Sequence, residues 1–141
     1  MKQRVSISMK GCYEADEDSV VELFTDGMMY HRDGITMLTY EESETTGFQG
    51  STTTLKIERN GRVTLTRKGS ANSHLVLQKC VRHVGSYNVY GGSMEIGVYA
   101  NEVDCNITEE GGSLRLVYTL DMNTSMFSRN ELSIDVRPAV D

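Results

Sequence analysis

The strongest constraint in this chain is an alternation of apolar and polar residues with a period of two, which sets every second side chain on one face of an extended strand. It recurs in segment after segment, and helical spacing is scarce beside it. Val5, Ile7 and Met9 form the apolar face of a first strand, and Leu132, Ile134 and Val136 that of a last one. Leu55 and Ile57 share a face within Ser51 to Arg59, Asn60-Gly61 is expected to supply the positive φ angles of a tight hairpin turn, and Val63, Leu65 and Arg67 continue the facing strand. The same pattern gives Met94, Ile96 and Val98, then Val103, Cys105 and Ile107, a turn at Gly111-Gly112, and Leu114, Leu116, Tyr118 and Leu120.

Less regular candidates lie between these: Ser19 to His31, Ile35 to Glu42 after an Asp33-Gly34 turn, Ser73 to Cys80, and His83 to Tyr90 before Gly91-Gly92. Val20, Val21, Leu23 and Phe24 could instead form one face of a helix behind the acidic cluster Glu14 to Asp18. The tally is about ten strands joined as a meander. Closing such a sheet removes both vulnerable edges, so the expected architecture is all-β, a single antiparallel barrel spanning residues 1–141 as one domain.

Composition narrows the function classes. The 141 residues carry 14 basic and 20 acidic side chains, a formal charge of −6, so no overall field draws in phosphate backbones or anionic headgroups, and neither nucleic acid nor membrane is an expected partner. Apolar runs are far shorter than the ~20 residues of a spanning helix. The N-terminal segment alternates where a signal peptide needs a continuous apolar block, and the expected location is cytoplasmic. Cys12, Cys80 and Cys105 are odd in number and widely spaced, as reduced thiols would be.

The chemistry-bearing residues give few motifs. The sequence has no Gly-x-Ser-x-Gly elbow, phosphate loop or dinucleotide fingerprint, so no enzyme activity is expected. His31, His74 and His83 are too scattered for a metal centre, Asp16 to Asp18 lack the pattern of a calcium loop, and neither metal nor cofactor is expected. Parity permits one sharper reading. If Val63 and Leu65 face the interior, so does Arg67, and a guanidinium on an apolar face needs an anionic or hydrogen-bonding partner. By the same count Ile35 and Met37 carry Glu41 inward, and Leu114, Leu116 and Leu120 carry Tyr118. Arg67, Glu41 and Tyr118 are thus the candidate binding residues, able to clamp the head of a small amphiphilic or anionic ligand while an apolar wall holds its tail. Tyr87 and Tyr90, beside the Gly-rich turn, are candidates for the barrel rim.

Several stretches bear a family likeness: Thr39 to Glu42, the hairpin around Asn60-Gly61 leading to Arg67-Lys68-Gly69, Tyr87 to Ile96, Ser113 to Asn123 and Asn130 to Ile134. Their order resembles the YwiB-like family of uncharacterised bacterial proteins, grouped with the calycin barrels beside lipocalins and fatty-acid-binding proteins. The resemblance implies a calycin-type barrel and, by analogy with ligand-holding relatives, non-catalytic binding of a small molecule in the interior. The chain has no tryptophan, hence no Gly-x-Trp opening strand of lipocalins. The alternative is a barrel with a filled core that acts through its outer surface or rim, as a homodimer or an interaction module. A cavity of at least about 300 Å³ opening at one end would favour the first, and a lumen packed with side chains the second.

Overall fold

The computed structural model describes residues 2–13, 20–42, 49–70, 72–89, 92–122 and 125–139; of residues 12, 13, 20, 21, 87–89, 92, 93 and 125–127 it describes the backbone only. Ten strands follow one another: β1 (Lys2–Tyr13), β2 (Val20–Arg32), β3 (Ile35–Glu41), β4 (Ser51–Ile57), β5 (Val63–Gly69), β6 (Asn72–Leu77), β7 (Arg82–Val89), β8 (Gly92–Thr108), β9 (Gly111–Met122) and β10 (Ser125–Pro138). Each pairs antiparallel with its sequence neighbour, and β1 pairs with both β2 and β10, so the meander closes into a barrel. Closure pairs the first and last strands of the meander with each other, so neither ends the sheet as a terminal edge. Among the described residues no helix is long and apolar enough to cross a membrane.

Alternation fills the lumen. Met29, Leu38, Leu55 and Leu75 are fully buried, and with Leu65 they form one register line: Met29 opposes Leu38, Leu38 opposes Leu55, Leu55 opposes Leu65, and Leu65 opposes Leu75. Each such leucine contributes roughly 1.5–3 kcal/mol through burial. Val5, Leu77, Leu114, Leu116, Ile134 and Val136 join the same core.

The chain corrects several sequence expectations. Residues 20–32 form a strand, with Leu23 buried and Phe24 76% exposed, so the two lie on opposite faces and the helical alternative fails. The two apolar runs after Met94 belong to one 17-residue strand, β8, where a bulge between Ala100 and Glu102 shifts the inward set from even to odd residues. The Asp33-Gly34 turn has φ of 52° and 80°, the geometry of a two-residue hairpin. At Asn60-Gly61 only Gly61 has positive φ, because the connection is a wider loop: Glu58 N–H donates to Arg62 O, and Gly61 N–H to Glu58 O. Likewise the β8–β9 turn is formed by Glu109 and Glu110, and Gly111 already begins β9.

Strand β3 carries the most consequential correction. Thr36, Leu38, Tyr40 and Glu42 are buried, while Met37 and Glu41 are exposed, so Glu41 does not face the lumen. Apolar residues occupy both faces of this strand, so its pattern alone is ambiguous. The two-residue turn settles it by pairing Arg32 with Ile35 and hence Met29 with Leu38.

Candidate functional site

At the end of the lumen where β3 leaves the sheet and β4 enters, the inner face turns polar. Tyr40, Thr53, Arg67 and Ser73 form one cross-strand line on β3, β4, β5 and β6, one step along from the leucine line. Arg67 reaches this layer because β5 alternates without ambiguity, as its sequence implies. Its Nε donates to Thr53 Oγ1 at 3.2 Å and its Nη2 to Glu42 Oε1 at 3.4 Å. The Thr53 hydroxyl donates in turn to Glu42 Oε1 at 2.7 Å. Thr53 thereby links cation and carboxylate, and all three residues are buried.

The partner of Arg67 is therefore Glu42, next to the residue that parity counting selects. Two buried opposite charges meet the cost of leaving water only while both remain and are hydrogen-bonded. Ser73 is the exception in this layer: it is buried, stands directly opposite Arg67, and its Oγ has no hydrogen-bond partner among the described residues. Tyr118 does face the lumen and is buried, but from β9, four strands round the sheet from β5, opposite Asn130 and Ala100. Tyr90 lies outside the described residues. The backbone of Tyr87 pairs with Ser73 and Met94.

The larger cavities bounded by described residues lie on the outer face. One of about 590 Å³ runs over β3 to β6 and is lined by Met37, Thr52, Thr54, Lys56, Glu58, Arg62, Thr64, Thr66, Lys68, His74 and Val76. Three cations face a single carboxylate there, on a chain whose formal charge is −6. That carboxylate is engaged: Arg62 Nε donates to Glu58 Oε2 at 2.6 Å, and this hydrogen bond above all holds the Glu58 carboxyl below its ordinary value. Lys68 has no ion pair or hydrogen bond among the described residues.

The floor of this groove is a sequence repeat turned back on itself. Thr52, Thr54 and Lys56 on β4 and Thr64, Thr66 and Lys68 on β5 are both Thr-x-Thr-x-Lys. Antiparallel pairing sets Thr52 opposite Lys68, Thr54 opposite Thr66 and Lys56 opposite Thr64. The two lysines occupy opposite corners about a local pseudo-two-fold centre at Thr54 and Thr66. Sequence reasoning passed over this groove, because each residue singly reads as a solvated face; the repeated five-residue pattern was the available signal. Among the described residues no cluster of three or more His, Cys, Asp or Glu could hold a metal ion.

Residues 7–134 match the sequence profile described as "Domain of unknown function (DUF1934)". The fold is similar to that of "Crystal structure of ywiB protein from Bacillus subtilis", with a TM-score of 0.85 and 18% identity over 99% of this chain and 94% of that one. At that identity the likeness concerns the fold alone. No curated protein matches the chain.

Proposed function

The chain belongs to the DUF1934 family, a domain of unknown function, and we propose that this member is a non-catalytic binding protein that engages an anionic partner through the outer groove of β3 to β6. The observation that supports this reading is the gathering of Lys56, Arg62 and Lys68 around one 590 Å³ groove of an otherwise acidic chain. Like charges held together on a surface cost self-repulsion unless an opposite charge relieves it. The middle of the lumen also favours work done from outside, since its described side chains are buried against one another.

The test is equilibrium binding of three short anionic probes, octaglutamate, inorganic tripolyphosphate and octathymidylate, to the wild type and to K56E/K68E. The expected result is binding of at least one probe that the variant loses about tenfold. K10E/K79E, which alters the formal charge equally at exposed positions outside the groove, should retain it. Equal binding by K56E/K68E, or no binding at all, would overturn the groove.

A second reading rests on the unpartnered Ser73 hydroxyl beside Arg67. A small polar molecule at that end of the lumen would exchange a hydrogen bond with Ser73. Because Glu42 already balances Arg67, a neutral ligand fits the site at lower electrostatic cost than an anion. Native mass spectrometry of freshly purified protein, before and after denaturation, separates the two readings and reports the oligomeric state. A retained mass that Ser73→Ala loses supports the interior site; an unliganded barrel mass removes it.

A further inference from the structure

Resting on the groove reading above, we infer that the partner is an extended, acidic polypeptide segment that lies across the paired Thr-x-Thr-x-Lys strands with two carboxylates four residues apart. The argument starts from spacing. Lys56 and Lys68 are separated by four residues along the strands and by one strand across, which is about 14 Å between their Cα positions. An extended peptide places side chains i and i+4 on one face about 13 Å apart, so one such pair reaches both ammonium groups at once.

Between the corners the floor suits a peptide. The hydroxyls of Thr54, Thr64 and Thr66 offer both donors and acceptors, as a backbone needs, and Met37 and Val76 supply an apolar flank. The Thr54 hydroxyl already exchanges a hydrogen bond with Thr39 at 3.3 Å, and that of Thr66 with His74 Nδ1 at 3.4 Å, which holds both in place. Pseudo-two-fold pairing makes the corners equivalent, so a chain running in either direction meets the same arrangement.

Nucleic acid fits less well on two counts. Among the described residues the only ring lining the groove is the imidazole of His74, which offers bases no extended stacking platform. A polyanion longer than the groove would also run onto a surface whose remaining charge is negative. A short acidic segment avoids both penalties.

The experiment uses the full chain and fluorescence anisotropy with two labelled octapeptides in a Ser/Thr background, one with Glu at positions 2 and 6 and the other with Glu at positions 4 and 5. Tripolyphosphate and octathymidylate serve as competitors. The spaced peptide is expected to bind about threefold or more tightly than the adjacent one, and K56E/K68E to lose it about tenfold while K10E/K79E keeps it. Equal binding of the two peptides, or a nucleotide or phosphate that outcompetes the spaced peptide in a Lys56- and Lys68-dependent manner, would overturn the acidic segment and leave the groove standing. Binding of every probe unaffected by K56E/K68E would overturn both. Circular dichroism of the variants confirms that the barrel is intact, as expected for outward-facing positions.

Discussion

Arg67 and Lys68 are neighbours in sequence, carry the same charge and sit on the same strand, yet they face opposite sides of the barrel wall. Arg67 is buried, tied to Thr53 and Glu42, and lies opposite Ser73; Lys68 is exposed at a corner of the outer groove. The contrast extends along β4, where Thr53 is fully buried while Thr52 and Thr54 line the groove. One residue of parity separates a charge whose partner is fixed by the fold from a charge available to a partner in solution. Burial raises the stake of the first and solvent screening lowers that of the second.

Breaking the inner side should cost most. Arg67→Met leaves the Glu42 carboxylate buried without its cation, and an unfolding free energy lower by about 3–5 kcal/mol is expected in urea titration. Adding Glu42→Gln should restore more than half of that loss, since the buried negative charge goes with it. A loss under about 1 kcal/mol for Arg67→Met would place the pair with surface bridges and erase the contrast.

Ser73→Ala sharpens the same comparison with a smaller effect. Removing a buried hydroxyl that lacks a partner should leave ligand-free protein unchanged or more stable by up to about 1 kcal/mol, read from the same titration. A clear destabilisation would reveal a bond for that hydroxyl in solution. On the outer side, Lys68→Ala should fall within about 0.5 kcal/mol of the wild type, and a larger loss would show that the groove helps to hold the fold.

The smallest effect concerns acid. Glu58 titrates below its ordinary value of 4.5 because Arg62 stabilises the charged form. A lowered carboxyl contributes stability that is complete above its unfolded-state value and fades as pH falls through the folded one. Thermal midpoints of wild type and Glu58→Gln should therefore differ by the same small amount at pH 7 and pH 5.5 and converge only in more acidic solution. A difference that vanished already between pH 7 and 5.5 would contradict the assignment. NMR titration of the Glu58 carboxyl checks the direction independently.

Much of the barrel was legible from alternation alone, since β1, β4, β5, β9 and β10 place the expected residues inward. Arg67 and Tyr118 face the lumen for that reason. Glu41 misled because β3 is apolar on both faces, so its inward set depends on register with β2 and not on its own pattern. The groove was harder still. Its lining comes from four strands, and only their pairing shows that two copies of Thr-x-Thr-x-Lys run antiparallel with lysines at opposite corners.

By itself the sequence determined that this chain forms strands and which faces of most of them avoid water, because a period of two is a local property that burial rewards wherever the strand ends up. It also determined that an arginine would have to enter the core. Only the tertiary structure decided that Glu42 meets that arginine, that Ser73 stands opposite it without a partner among the described residues, and that the basic residues of β4 and β5 share one groove. Those outcomes depend on register between segments distant in sequence, fixed by turn geometry and closure of the sheet, which no single strand encodes.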